Sequence, residues 1–306
     1  MTLIFAVFTF LIAPFLLPGL INKSKALWAG RHGAPIWQPG YDFLKLLRKG
    51  QVISKTTSFV FRLAPSVNLA AVVLAALIIP VPQQTALLNF PGDFVLFAYA
   101  LGLARFLLVA AAMDTGSSFE GMGAAREMTF ASIVEPAFFM LIGTLALMTR
   151  QSSLSAIVAN LDDGAGFAML VKSLGTIVLF IMLLVEGSRG PVDDPNTHLE
   201  LTMIHEVMIL DYSGPDLAFM QYAASLKMVV ITTLLANLLI PASIGPAGAA
   251  LLFLALFMLV AVGIAGTESL IARLRMSHVP QFIFLMSALA LTAFAVVMFF
   301  RNGGLR

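Results

Sequence analysis

The chain has 306 residues, 59% of them hydrophobic and 11% charged, with a formal net charge of +2 and a mean hydropathy of +0.95. Soluble domains carry about 25% charged residues, so this composition excludes a water-soluble globular fold and specifies a polytopic membrane protein. The lack of Cys excludes disulfides and thiolate-held zinc or iron–sulfur centres within the chain, and the small net charge implies no nucleic-acid partner.

A spanning helix needs about 20 mainly apolar residues. Eight segments qualify, over 2–21, 63–82, 93–113, 128–149, 167–186, 217–240, 247–267 and 280–300. The expected fold is all-α, a helix bundle in a single membrane domain spanning 1–306 and lying in the lipid bilayer. The first helix begins at Thr2 without a basic flank, which predicts a retained span rather than a cleaved signal. Pro14 and Pro18 are expected to bend it, as bundles tolerate.

The 22–62 loop follows and holds eight of the eighteen Lys and Arg residues. Within it Tyr41, Phe43, Leu44 and Leu47 alternate with Asp42, Lys45, Arg48 and Lys49. That pattern predicts a short amphipathic helix on the membrane surface or under a partner. The third and fourth spans are joined by the polar turn Asp114-Thr115-Gly116-Ser117-Ser118. The fifth ends at Glu186 and opens a stretch to Asp216 holding seven of the sixteen acidic residues against one basic residue, Arg189. Such an acidic, Pro-interrupted stretch is costly beside a bilayer and points to protons, ions or a partner protein.

Lys and Arg number twelve in the odd-to-even loops and three on the opposite side. This bias predicts that both termini lie outside and that the 22–62 and 187–216 loops are cytoplasmic. These two loops are expected to dock a soluble arm, with Arg31, Asp42, Lys45, Arg48, Lys49, Glu206 and Asp211 as contact residues. Arg105, Glu135, Glu186, Lys227 and Glu268 fall in or at the edges of apolar segments. A charge at mid-bilayer costs about 2.5–3.5 kcal/mol, so each is an interfacial snorkeller, a structural ion pair or part of an ion path. Ionisable groups in apolar surroundings titrate nearer neutral pH, which suits a proton relay. Eight residues of helix rise about 12 Å, which places Glu127 at the mouth of the fourth helix with Glu135 deeper. Asp193, separated from Glu186 by Pro191, is expected to line an entrance.

Several signatures are missing. His205-Glu206 begins a zinc-protease motif, but Ile209 stands where its second His belongs. His198, Glu200 and His205 make a weak metal set, and no metal site is assigned. There is no phosphate loop and no nucleophile signature, so no catalytic residue is assigned.

Four ordered blocks carry a family resemblance. The first is Arg31-His32-Gly33-Ala34-Pro35 through Gln38-Pro39 to Tyr41-Asp42 and Leu44-Lys45-Leu46-Leu47. The second runs from Ala104-Arg105-Phe106 through Asp114-Thr115-Gly116-Ser117 to Ala125-Arg126-Glu127 and Val134-Glu135-Pro136. Third comes Glu186 with Arg189, Pro191, Asp193, Glu200-Leu201 and Tyr212-Ser213-Gly214. The fourth joins Glu268-Ser269 to Ala272-Arg273-Leu274-Arg275, and Ser225-Leu226-Lys227 adds a further element. Together they resemble the membrane subunit shared by respiratory complex I (its subunit 1, or H subunit) and the group 4 [NiFe] hydrogenases, on the side of formate hydrogenlyase and hydrogenase-4. The chain departs from the complex I pattern at Asn196 and His198, where Glu is expected, and in a Tyr-Ser-Gly element about three residues late.

The resemblance implies a non-catalytic subunit of a prokaryotic inner-membrane oxidoreductase complex. It would anchor a hydrogenase-like large subunit, a small iron–sulfur subunit and a ferredoxin-like subunit beside antiporter-like membrane subunits. Iron–sulfur clusters would reside in those partners, with a NiFe centre left open. Glu127, Glu135, Glu186, Asp193, Glu200, Glu268 and Lys227 would form the proton path, tuned by Arg105, Arg126, Arg189, Arg273 and Arg275. Two rival readings stay open. A quinone-chamber subunit would have a lipid-tail-sized cavity among helices 1, 5 and 6, beside the 22–62 loop. A stand-alone ion-coupled transporter would favour inverted repeats, and none is evident.

Overall fold

Apolar segments of this length must satisfy their backbone groups internally, and helices do so within one segment. The computed structural model describes residues 2–161, 166–193, 204–272 and 274–301, with side chains from residue 5 onward. Its described elements are all helical. α1 (Thr2–Val7) passes through a π-helical turn (Phe8–Ile12) into α2 (Ala13–Trp28), and the three make the first span. α3 (Gln38–Leu47) is the amphipathic surface helix. α4 (Phe59–Ile78), α5 (Asp93–Asp114) and α6 (Ser118–Thr149) are the second to fourth spans, and the short α7 (Leu154–Ala159) follows on the far side. α8 (Gly166–Glu186), the short α9 (His205–Met208), α10 (Gly214–Leu239), α11 (Pro246–Leu270) and α12 (Val279–Arg301) complete the order. Among the described residues eight helices are long and apolar enough to cross a membrane, as the hydropathy pattern predicts.

Local chemistry explains most boundaries. Ser58 and Ser153 cap α4 and α7 by accepting from the backbone N–H groups of Val60 and Ala156. Pro14, Pro39, Pro215 and Pro246 stand in first turns, where a missing N–H costs little. The second span begins and ends about four residues earlier than expected, because Pro80 and Pro82 follow its last turn. The fourth begins ten residues earlier, at Ser118 instead of 128. Its 32 residues make about 48 Å of helix, so its polar first turns extend beyond a hydrocarbon core of about 30 Å.

The bend expected at Pro14 takes a specific form. In the π turn the Ala13 N–H reaches back to the Phe8 carbonyl. Pro14 cannot donate to the Phe10 carbonyl, and the Tyr222 hydroxyl on α10 supplies the bond instead, lying 3.2 Å from the carbonyls of both Phe10 and Leu11. The Tyr222 ring packs on Phe15 and Phe43, which fastens α3 to the first span. Gly19 allows the chain to pass close by, since a Cβ there would meet the Ile36 carbonyl at 1.9 Å.

α10 is the central helix. It packs on α2, α3, α4, α8 and α11, and Val229, Val230, Leu234 and Leu235 lie in the main core. On the loop side that carries α3, Ser213 bonds the backbone of Val52, and the Ser58 N–H donates to Asp114 Oδ2 at 2.7 Å. Tyr212 stacks on Phe61 and donates to its carbonyl at 2.8 Å. The end of the 22–62 loop and the end of the 187–216 loop therefore form one continuous face. Trp28, Trp37, Tyr41, Leu44 and Leu47 are exposed along it, an aromatic and apolar rim suited to the membrane interface.

Candidate functional site

Two helices direct carboxylates at a guanidinium carried by a third. Arg105, 8% exposed, projects from α5. Its Nε lies 3.2 Å from Glu127 Oε1, Nη1 bonds Glu135 and Nη2 bonds Glu186. Glu127 and Glu135 come from α6, and Glu186 is the last residue of α8. The second oxygen of Glu186 accepts from Lys227 Nζ of α10 at 3.1 Å. Arg presents a rigid fork of five N–H donors, which is why one side chain serves three acceptors.

Burial differs sharply within the cluster. The side chains of Glu186 and Glu127 are 4% and 15% exposed, whereas that of Glu135 is 50% exposed near the middle of a spanning helix. Three carboxylates meet two cations here, Arg105 and Lys227. With all five ionised the cluster carries one negative charge, and one proton held among the three acids neutralises it.

Beyond Glu186 the chain turns through Gly187 and Ser188, whose backbone has φ +50. Arg189 reaches toward Glu268 at the end of α11, its Nη1 3.6 Å from Oε1, and Lys25 of α2 closes on Oε2 at 2.6 Å. This second charged group ties the first span, the loop after α8 and α11 together. Leu274 N–H donates to the Pro191 carbonyl alongside it. Asp193 is buried, and its Oδ2 accepts from the backbone N–H groups of Ile204 and His205, which starts α9. α9 lies against α6 at Gly123, where a Cβ would meet the Ile204 carbonyl at 2.9 Å.

Beside Arg189 and the turn after Glu186 lies a cavity of about 350 Å³. One part of its wall is apolar, with Pro14, Phe15, Phe43 and Met228; another is polar, with Arg189, His205, Glu206 and Ser225. It stands between the first span and α10, beside α3 and the turn that follows α8. Burial, aided by Lys227 and opposed by Glu186, holds the His205 imidazole down to about 3, so the ring is neutral. Burial also pushes the Glu206 carboxyl above the usual carboxylate range; Asp193 adds to this and Arg189 opposes it. Tyr212 is raised by burial and by the carboxylates Asp216, Glu120 and Asp114.

The remaining expected residues fall elsewhere. Arg31, Lys45, Arg48, Lys49 and Asp211 are exposed and Asp42 is half-exposed, all on the α3 side. Glu206, expected on the docking face, stands in the cavity wall instead, because α9 turns it inward. Arg126 touches Met122 Sδ at 3.3 Å. Arg275 is exposed and pairs with no described carboxylate. Glu200 and Arg273 lie outside the described residues. Among the described residues no cluster of His, Cys, Asp and Glu is arranged to hold a metal.

Three structural groups carry no sequence signal strong enough to single them out. Tyr222 is an ordinary aromatic in an apolar helix. Asp93 is fully buried and caps α7 through the Leu154 N–H at 2.8 Å. Glu120, also buried, accepts from the Asp211 N–H at 3.1 Å. Only the Gly92-Asp93 and Ser117-x-x-Glu120 patterns hint at the last two, as helix-start signals.

Comparison with known proteins agrees with this architecture. The family model described as NADH dehydrogenase matches residues 1–300. Formate hydrogenlyase subunit 4 of Escherichia coli (strain K12) is 29% identical over 290 residues, covering 91% of this chain and 92% of that protein. Hydrogenase-4 component C of the same organism is 29% identical over 236 residues, 77% of this chain and 73% of the relative. The H subunit of the NADH-quinone oxidoreductase of Bacteroides thetaiotaomicron is 28% identical over 64% of this chain and 55% of its own length. A chain of the membrane-bound sulfane sulfur reductase, an archaeal respiratory membrane complex, superposes with a TM-score of 0.81 at 19% identity, covering 97% of this chain and 98% of that one. The chain belongs to the NADH dehydrogenase family of membrane subunits that includes the H subunit of complex I and its hydrogenase-4 and formate hydrogenlyase counterparts.

Proposed function

We propose that this chain is the membrane anchor and ion-path subunit of an energy-converting redox complex, without a redox centre of its own. Electron transfer in a soluble arm would be coupled to ion movement through its charged cluster. The observation that carries this reading is the group of Glu127, Glu135 and Glu186 around Arg105, with Lys227 behind Glu186. A purely structural pair would balance its charges. Here the acids outnumber the cations by one, so the cluster has a place for a proton that can move among three oxygen-bearing groups.

Glu135 gives the path a direction. It is half-exposed on α6 although its helix crosses the membrane. Facing lipid, an ionised carboxylate there would cost several kcal/mol. A neighbouring membrane subunit covering Glu135 removes that cost and receives the path; an antiporter-like subunit with polar groups at the same depth fits. On the other side, the exposed Lys45, Arg48 and Lys49 present positive charge and the exposed Asp211 negative charge. Opposite patches on a hydrogenase-like large subunit and an iron–sulfur subunit would fix their orientation. This face would then be cytoplasmic, in agreement with the Lys and Arg bias.

The test is ion translocation per electron in proteoliposomes that contain the whole complex. Glu186→Gln and Glu135→Gln keep the size and hydrogen bonding of the acid but remove titration. Both should leave the complex assembled, with fewer ions moved per electron. A wild-type ratio in both variants refutes the reading.

One observation favours a second reading, in which the chain also bounds a site for a quinone-like amphipathic ligand. The cavity of about 350 Å³ joins an apolar wall to a polar one beside α3. Filling it with Ser225→Trp should abolish quinone-dependent turnover while leaving electron transfer to soluble acceptors intact. Unchanged quinone reduction excludes it.

A further inference from the structure

His205 lines the cavity and feels the charges of Glu186 and Lys227 in the membrane cluster. The residue is only part-buried and borders the cavity, yet its Nε2 is shut off from solvent and has no hydrogen-bond partner among the described residues. A buried ring nitrogen left unbonded costs about 1–3 kcal/mol, so such an atom calls for a role. The charges that act on the ring are those of Lys227 and Glu186, the two groups joined at 3.1 Å in the cluster. Its backbone is fixed from both sides. Asp193 Oδ2 accepts from the N–H groups of Ile204 and His205, and Gly123 lets α9 sit against α6. The ring is therefore held in place through its backbone, by a carboxylate that leaves Nε2 unengaged.

We infer that His205 passes protons between water in the cavity and the Glu186–Lys227 pair. This rests on the ion-path reading and names the group that feeds the path. A neutral imidazole has one nitrogen that accepts and one that donates. A proton taken from cavity water onto one nitrogen is matched by release of the proton on the other to the Glu186 carboxylate. The ring ends neutral with its tautomer exchanged, the water left as hydroxide is reprotonated from bulk solvent, and a ring flip resets the donor. Because the ring is neutral at physiological pH, it stores no charge next to Lys227 and conducts in either direction. The surrounding charged groups are Glu186 from α8, Lys227 from α10, Arg189 and Asp193 from the loop after α8, Glu206 beside it on α9 and Asp42 across the cavity on α3. None of them hydrogen-bonds Nε2, which stays open to a transferred proton.

The experiment uses the intact complex in proteoliposomes and compares His205→Ala with Glu186→Gln. His205→Ala should assemble and slow proton delivery by about 100-fold or more, the scale of a positioned proton-transfer group, so that few ions move per electron. Free imidazole fits the space the ring leaves beside the cavity. It should restore translocation in His205→Ala but not in Glu186→Gln, with a pH profile that follows imidazole's own titration. A wild-type ratio in His205→Ala with a loss in Glu186→Gln overturns the role of His205 and leaves the ion-path reading standing. Wild-type ratios in both remove that reading as well. Where His205→Ala fails to assemble, His205→Gln decides. An assembled Gln variant that has lost translocation supports the relay. One that translocates normally, or also fails to assemble, shows that packing is the whole role.

Discussion

Replacing Arg105 by Met removes the one side chain that touches all three acids of the cluster. Met keeps an unbranched apolar stem but lacks the guanidinium, so the change chiefly removes the charge and its hydrogen bonds. Glu186 and Glu127 are 4% and 15% exposed, so two of the three contacts are buried. Breaking a buried ion pair by removing one partner costs about 3–5 kcal/mol. The contact to Glu135, half-exposed, adds only about 0–1 kcal/mol. Lys227 still holds Glu186, which keeps the expected loss toward the lower end, about 3 kcal/mol. Equilibrium unfolding in mixed micelles, followed by helical content, measures it. The informative comparison adds Glu186→Gln and the double variant. With the acid neutralised, the missing guanidinium matters less, so the double variant should be more stable than the sum of the singles predicts by about 1–3 kcal/mol. Additivity within about 0.5 kcal/mol would refute the claim that these residues form one coupled unit.

Other parts of the structure are open to equally direct tests. The native chain lacks Cys, so a Cys at Gly50 should resist an impermeant thiol reagent in intact cells and one at Gln151 should react; the reverse pattern inverts the proposed orientation. Tyr222→Phe removes the hydroxyl that serves the Phe10 and Leu11 carbonyls and should cost about 1–3 kcal/mol; a change of a few tenths means those carbonyls are satisfied in another way. Glu206 has its folded pKa raised by burial, so the folded state binds more protons than the unfolded state above the ordinary carboxylate range, and stability falls there as pH rises. Glu206→Gln should therefore gain stability relative to wild type as pH rises from about 4 to about 8, and a pH-independent difference contradicts the inward placement of Glu206.

The membrane bundle and its eight spans are legible because hydropathy and length alone specify a spanning helix. The amphipathic α3 is legible for the same reason, since its pattern has helical period. Boundaries shift where a different force takes over. Ser118 to Glu127 are too polar for a hydropathy window, yet they stay helical because α9 packs on them at Gly123. The cluster members show in the sequence as charges set in apolar runs, but their convergence does not. Arg105 and Glu186 are separated by 81 positions, and nothing local says that α5, α6 and α8 turn their charged faces to one point. Glu206 illustrates the opposite failure. In a polar stretch it reads as surface, and only the packing of α9 turns it toward the cavity.

α10 explains why the cluster and the cavity occur together. Tyr222, Ser225 and Met228 line the cavity, while Lys227 is directed to Glu186. Successive residues of a helix differ by about 100°, so Ser225 and Met228 share the cavity face while Lys227, within the same turn, points to another. A rotation of α10 that reshaped the cavity would therefore also move the Lys227 ammonium relative to Glu186. The apolar part of α10 resists such motion, since Val229 to Leu235 are packed to near-zero exposure in the core. Its other end is fastened through Tyr222 to a first span whose hydrogen-bond ladder is already broken at Pro14, so a change in the cavity that moved this end of α10 would also shift charge in the membrane.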